Sequence, residues 1–500
     1  MFGLLLLLLV CAVDCAANYE ENVNVRQLSD GKVLLELRFI NHETPRPIHE
    51  IQRAYDVREM HLSFTQGRWQ YDQWGHSYLS ASRGAELYAW LHNSTLDWNG
   101  LTHALAGQFC SSLNFLGNGA SIASPLLTWE FGSFPTNNSP LTVNQSGLSF
   151  KYGTLSREAV CTENLTPWIK LLPCKSKSGI AALLNAYKVF DGHFQSIGVH
   201  LMPDGVYMQT FAVVMNPLRT LGRNWSFDSL FARQIDKTCP FASKTTVELD
   251  VPINLVDELD SVSPGTNYVE KDGNMRYNFQ LASVLVEPFN LGIQWKSSRV
   301  NYTNPELVPV HQHRYLSGVG QERGGIVVSF TNRRAEPTQI TYFECLPWIM
   351  KLYLHKFQIK STVQTATRDD IVKTLLFQPA IDRVRPNALE LSLILPPHST
   401  TTFSIAFSSA FVKYTEHHPD SNHGFDIGAG VMMIRDKDLT TNSSSVQRRV
   451  YYTDSLLLRV PTPDFSMPYN VITLTCTLFA LFVGSVFNGM VRRYKPIIVS

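Results

Sequence analysis

Apolar and polar residues alternate with a period of two along most of the chain, and that period predicts short strands. Residues 33–39 follow the turn signal Asp30-Gly31-Lys32 and alternate from Leu35 onward. Met60, Leu62 and Phe64 alternate with His61 and Ser63. Residues 199–202 and 206–214 flank Pro203-Asp204-Gly205, which carries the turn chemistry of a hairpin. Further strands are predicted over 246–255, 275–284, 290–295, 326–331, 338–343, 389–395, 401–408 and 450–460. Two stretches change to a helical period. In 98–116 the repeat is Leu101, Ala104, Leu105, Phe109 and Ser112; in 176–190 it is Ile180, Leu183, Leu184 and Tyr187. The aromatic-rich residues 69–75 read as a loop. Many short strands between polar turns predict a mainly β, sandwich-type body with an N-terminal α+β part. The polar stretch 257–274, with Ser263-Pro264-Gly265, is the expected seam, dividing the body into 18–262 and 263–467.

The two ends carry unbroken apolar runs of different length. Residues 4–10 are too short to span a bilayer and precede the small residues Cys15-Ala16-Ala17, so 1–17 reads as a cleaved signal peptide. Residues 471–491 hold no charged side chain and, as a helix, reach about 31 Å, the thickness of a hydrocarbon core. A transmembrane helix over 470–491 is expected, introduced by a rigid, poorly helical lead-in over 461–468. Arg492, Arg493 and Lys495 follow the span, which places 492–500 in the cytosol and the upstream body in a lumen or outside, a type I orientation. The basic segment after the apolar run also argues against a GPI-attachment signal. Ala480 with Gly484, and Ser485 with Gly489, are small residues four apart that let another helix approach, and Thr473, Thr477 and Asn488 offer interhelical hydrogen bonds.

Composition narrows the classes further. With 44% hydrophobic and 17% charged residues, the chain is too apolar to be disordered. Its 43 Lys+Arg against 42 Asp+Glu leave no excess of cations for binding nucleic acid. Of eight cysteines, Cys11 and Cys15 leave with the signal peptide and Cys476 lies in the span. Cys110, Cys161, Cys174, Cys239 and Cys345 remain, an odd number, so at least one is either a buried free thiol or bonded to another protein. Asn-x-Ser/Thr sequons occur at Asn93, Asn137, Asn144, Asn164, Asn224, Asn301 and Asn442. Asn164 is expected to stay unglycosylated because Pro167 follows its Thr166; the other six are glycosylation candidates. His311 and His313 share one side of a strand but lack a third ligand at diagnostic spacing, so no metal site is expected. His417, His418 and His423 read as solvated loop residues. No Gly-x-Ser-x-Gly elbow, Walker loop, GxGxxG or HExxH motif occurs, and the glycines at 318, 320, 324 and 325 precede no helix pattern. No catalytic residue and no cofactor is assigned.

Several segments together resemble one family, the PIG-T subunit of the GPI transamidase. They are His61-Leu62-Ser63-Phe64-Thr65-Gln66-Gly67, Phe109-Cys110-Ser111-Ser112-Leu113-Asn114-Phe115, residues 157–168 from Arg157 through Cys161 and Asn164 to Trp168, Leu171-Leu172-Pro173-Cys174, 419–425, and 461–472. They are spread in family order along nearly the whole chain; Cys345 lies outside them. The resemblance implies a non-catalytic lumenal scaffold in the endoplasmic reticulum membrane. Its partners would be a caspase-like catalytic subunit and the other transamidase subunits, with GPI lipid and proprotein substrate met through the complex. It also implies an intermolecular disulfide from Cys161 to the catalytic subunit. Of the remaining cysteines, Cys174 is expected to pair with Cys239, leaving Cys110 and Cys345 reduced. The competing readings are an independent lumenal hydrolase and a cell-surface adhesion or receptor ectodomain.

Overall fold

The computed structural model describes residues 19–493 and 495, apart from 93–95, 118–120, 133–146, 220–221, 266–267, 272, 283–284, 286, 298–307, 319, 365, 418–419, 421, 438–445 and 463–465. The fold is mainly β, in two bodies followed by one long apolar helix. The first body is built on an eleven-stranded sheet. In spatial order its strands are Tyr268–Lys271, Asn274–Gln280, Lys244–Pro252, Tyr19–Gln27, Val33–Asn41, Tyr207–Met215, Phe194–Leu201, Val57–Gly67, Gly84–Leu91, Ser149–Leu155 and Ile122–Ala123. All neighbours are antiparallel except Tyr19–Gln27 and Lys244–Pro252, where Val23 lies opposite Val247 in a parallel pair. One face of this sheet is apolar and lies under the helices Leu96–Phe109 and Thr162–Lys170, with Phe39, Leu62, Leu101, Leu105, Trp168 and Phe211 in its core. The other face carries Glu59, His61, Glu86, Ser196 and His200, all buried although polar.

The second body is a sandwich. Its four-stranded sheet runs Val310–Ser317, Arg323–Asn332, Thr400–Ser409, Met350–Ser361, and its five-stranded sheet runs Val372–Gln378, Asn387–Leu395, Thr338–Leu346, Val431–Lys437, Val446–Tyr452. Phe330, Tyr342, Leu391 and Phe403 fill the space between them. One ion pair is sealed inside this core. The Arg314 guanidinium donates to both Glu344 oxygens at 2.7 and 2.8 Å and to the carbonyls of Gly428 and Asp454, while the Tyr342 hydroxyl donates to Glu344 at 2.7 Å. Buried charges persist only when their hydrogen bonds are this complete.

Several expectations need correction. The boundary at 262/263 cuts the first body: Asn274–Gln280 pairs with Lys244–Pro252, and Gly292–Trp295 pairs with Leu259–Ser263 and Trp225–Ser226. The first core continues to Trp295 and the second begins at Val308, so the division falls between those residues. The helix expected over 176–190 is broken into the 3-10 turn Ile180–Leu183 and the single turn Ala186–Val189. Gly179 sits at φ +74°, and a Cβ there would lie within 2.5 Å of the Glu21 carboxylate oxygens, so a regular helix cannot pass. Tyr187 accordingly points outward at 93% exposure. The expected loop 69–75 contains a helical turn, Tyr71–Trp74. The strand expected over 450–460 splits at 453–455. The terminal helix begins earlier than expected, at Ser466, with Pro468 in its first turn, where a missing N–H costs no intrahelical bond. Its apolar part, Tyr469–Val491, has mean hydropathy 1.9 and is a candidate membrane span.

Candidate docking site around Cys161

Cys161 sits where extended backbone (φ −140°, ψ 179°) turns into the Thr162–Lys170 helix. Its carbonyl accepts from the N–H groups of Asn164 and Leu165 at 3.2 and 3.1 Å. The Asn164 carboxamide oxygen accepts in return from the Cys161 N–H at 3.1 Å and from its thiol at 3.2 Å, so the helix start is capped from both sides. The amide nitrogen of Asn164 donates to the carbonyl of Phe109 at 2.9 Å and to that of Cys110 at 3.4 Å. One side chain thereby ties the start of this helix to the end of the Leu96–Phe109 helix. Nearby, the Ser112 N–H donates to Glu158 at 2.9 Å.

The helix is fixed from beneath as well. Trp168 is fully buried, donates its indole N–H to the Gly198 carbonyl at 2.9 Å, and meets Phe39 edge-on at 5.9 Å. Gln209 donates to the Trp168 carbonyl at 2.8 Å. Just beyond the helix, Cys174 is bonded to Cys239 across 65 residues, with Cα atoms 5.8 Å apart. Cys161, Cys110 and Cys345 are free thiols, the first half-buried and the second exposed. Burial and the neighbouring Glu344 carboxylate push the Cys345 thiol up to about 12, which keeps it protonated and unreactive. At the far end of the Cys161 helix, Leu171 and Pro173 line an open groove of about 660 Å³ with Asn41, Pro45, Arg46 and His49. A free, half-buried sulfur thus stands at the clasped start of this helix, with the open groove at the helix's other end.

A second polar cluster lies between the two bodies. His61 contacts Glu59 at 3.0 Å through Nε2 and His200 at 3.2 Å through Nδ1. Burial pushes the Glu59 carboxyl up to about 8 and the His61 imidazole down to about 3, so the contact is a hydrogen bond between neutral groups. Burial likewise raises Glu86 to about 7, although the hydroxyls of Tyr452 (2.8 Å) and Tyr152 (2.9 Å) donate to it. The cavities beside these groups hold about 40 and 50 Å³, room for a water or two. Glu390 of the second body accepts from the N–H groups of Leu126, Leu127 and Thr128 at 2.8–3.1 Å and from the Thr128 hydroxyl at 2.8 Å. Sequence reasoning missed this anchor; the signal available was a lone carboxylate in the apolar run Leu389-Glu390-Leu391.

The remaining expected residues are scattered. Asn224 is exposed and accepts from the Trp295 N–H at 2.9 Å, whereas Asn93, Asn137, Asn144, Asn301 and Asn442 lie outside the described residues. Asn164 is buried with its amide fully engaged, which leaves no room for a glycan. His311 contacts Asp72 at 3.2 Å, and His313 lies against Tyr315. Among the described residues no three His, Cys, Asp or Glu side chains are grouped to hold a metal. Ala480, Gly484, Ser485 and Gly489 are exposed along the terminal helix, and nothing lies within 4 Å of a Cβ built on either glycine. The hydroxyls of Thr473 and Thr477 donate to the carbonyls four residues back, at 2.8 and 2.7 Å, so their hydrogens are already spent within the helix.

The family described as "Gpi16 subunit, GPI transamidase component" matches residues 3–219 and 215–499. A human protein, "GPI-anchor transamidase component PIGT", is 34% identical over 90% of this chain and 83% of its own length. "GPI transamidase component GPI16" of Saccharomyces cerevisiae is 32% identical over 90% of this chain and 81% of its own. Among solved structures, a collagen-binding domain of Erysipelothrix rhusiopathiae aligns over 89% of this chain and 94% of its own, at 8% identity and a TM-score of 0.19, too low to inform the fold. The chain belongs to the Gpi16 family of GPI transamidase components.

Proposed function

We propose that this chain is the non-catalytic scaffold subunit of an endoplasmic-reticulum GPI transamidase, holding the caspase-like catalytic subunit through a disulfide from Cys161. The membrane helix anchors it as a single-pass type I protein with both bodies in the lumen. It meets the other subunits, and through them the GPI lipid and the proprotein, without a cofactor of its own. The observation that carries this reading is the state of the sulfurs. Cys174 and Cys239 are spent on each other, while Cys161 is free, half-buried and held by Asn164 at the start of a helix seated on the buried Trp168. A disulfide at such a point persists in an oxidising lumen and turns a weak protein contact into an effectively intramolecular one.

The family membership supports the transamidase context, and the groove lined by Leu171 and Pro173 lies at the other end of the helix that Cys161 begins. The hydrolase reading is weaker. The strongly shifted buried pair, Glu59 and His61, borders cavities too small for a peptide or ester. Non-reducing electrophoresis of membranes solubilised in mild detergent tests the proposal. The wild-type chain should run in a heavier, reductant-sensitive band that survives Cys110→Ser and vanishes with Cys161→Ser. A band that persists in the Cys161 variant, or is missing from wild type, overturns the covalent link.

A further inference from the structure

The strand register puts one set of turns at a single end of the second body. Leu346 lies opposite Asn387, Gln378 opposite Ala388, Met350 opposite Ser409, and Tyr452 opposite Val431. Residues 347–349, 379–386, 410–417, 422–424 and 453–455 therefore cluster there. Leu456–Leu458 pairs with Phe425–Ile427 at this same end, and from Leu458 the chain passes on to the apolar helix starting at Ser466. Residues 459–465 bridge the two, a tether no longer than about 28 Å.

This end bears an unusual surface. Phe411 is 85% exposed, Val384 57%, Ile381 47% and Leu457 43%. The Val384 N–H donates to the Ile381 carbonyl at 3.0 Å, and contacts between neighbouring residues link the segments that carry all four. The Ala410 N–H donates to the Ile349 carbonyl at 2.7 Å, and the Arg383 guanidinium lies 4.6 Å from the Trp348 ring while pairing with Glu416. His417 in turn meets Phe425, which lies opposite Leu458. Lys351 pairs with Asp382, and Lys413 and Arg459 are exposed at the rim. Large exposed side chains gathered at one place mark a surface that is covered in use.

We infer that this end of the sandwich seats on the bilayer, with Phe411, Val384 and Ile381 entering the headgroup region and Lys413 and Arg459 meeting lipid phosphates. The occupant follows from the tether. A helix that spans the membrane from Ser466 holds this end, and not the opposite one, within a short chain length of the lipid surface. Aromatic and aliphatic side chains rimmed by cations are the chemistry that the interface takes up. Seated this way, the body cannot swing freely on residues 459–465, so its height above the bilayer is fixed by two attachments.

The test places the photoreactive residue benzoylphenylalanine at Phe411, Val384 or the distant, 93% exposed Tyr187, in the full chain reconstituted into phosphatidylcholine nanodiscs. Lipid adducts at 411 and 384 should exceed those at 187 by about tenfold, as burial in the interface requires. Equal adduct yields at 411 and 187, in chains that co-purify with the discs, overturn the seating while leaving the span intact. Failure to co-purify overturns both. In native membranes, a protein adduct replacing the lipid adduct at 411 assigns the surface to a partner subunit and also overturns the proposal. Every position substituted is exposed, and none lies near Cys161.

Discussion

The interiors of the two bodies and the junction between them are held by different forces. Each interior is predominantly apolar, with the Glu21 carboxylate buried in the first and the Arg314–Glu344 pair sealed in the second. The junction mixes Trp90, Trp129, Tyr152 and Phe343 with carboxylates that each take several donors: Glu86 from two tyrosines, Glu390 from three consecutive amides, Glu130 from Arg435 and Arg448. Apolar contact is non-directional and gives strength without fixing an angle. A carboxylate that must meet three N–H groups at once is satisfied in one arrangement only, and an amide left without its acceptor there is costly. The interiors hold each body together, and the junction decides how the bodies face each other.

Substitutions can separate the two. Trp168→Ala attacks an interior and removes a fully buried indole under the Cys161 helix; it should cost about 3–5 kcal/mol in denaturant unfolding of the first body. Cys239→Ser opens the 65-residue loop and should cost about 2–4 kcal/mol, again in the first body. Glu390→Ala attacks the junction, leaving the amides of Leu126, Leu127 and Thr128 without their acceptor. A loss of about 2–3 kcal/mol is expected, read as faster proteolysis between Trp295 and Val308 while the melting of each interior changes little. If Glu390→Ala instead melts a whole body, the contrast between interior and junction fails.

Acidity gives a gentler probe. Folding raises Glu59 to about 8 and Glu86 to about 7 from 4.5, so the folded protein holds protons that the unfolded chain has already released. Their contribution is fully present below about pH 4.5 and is lost as pH rises through 7 to 8. Thermal melts should therefore show the junction weakening from about pH 6.5 to 8, because below 6.5 the buried neutral His61 and His200 work in the opposite direction, and Glu86→Gln should flatten that slope. The smallest effect on folding belongs to Cys161→Ser. Serine is a good residue at a helix start, so stability should shift by no more than about 0.5 kcal/mol, even as the covalent link disappears.

Sequence reading succeeded where one face of a strand is apolar. The hairpin around Pro203-Asp204-Gly205 and the strands near 326–331 and 401–408 were legible because the hydrophobic period maps directly onto burial. It failed where polar residues face inward. Tyr19–Gln27 hides its inward face behind Glu21 and Gln27, and Glu21 accepts from the Tyr19 hydroxyl of its own strand and from the remote Ile180 N–H at 3.0 Å, a partner the local sequence does not show. The strand Met350–Ser361 was missed because much of it is exposed and its pairing slips between Tyr353 and Gln358. Around Cys161 the motif was visible, but Asn164 read as a blocked sequon. Its work as a clasp between two helices appears only when Phe109 and Cys110 are brought beside it.

The parallel pairing of Tyr19–Gln27 with Lys244–Pro252 sets a timetable for synthesis. The first strand can form its hairpin with Val33–Asn41 as soon as both have emerged, yet its other edge stays bare until residue 252 follows. At about 5–20 residues per second that wait lasts roughly 10–45 seconds. Throughout it, the unpaired N–H and C=O groups of that edge are open to any passing strand, long before the chain's last strands exist.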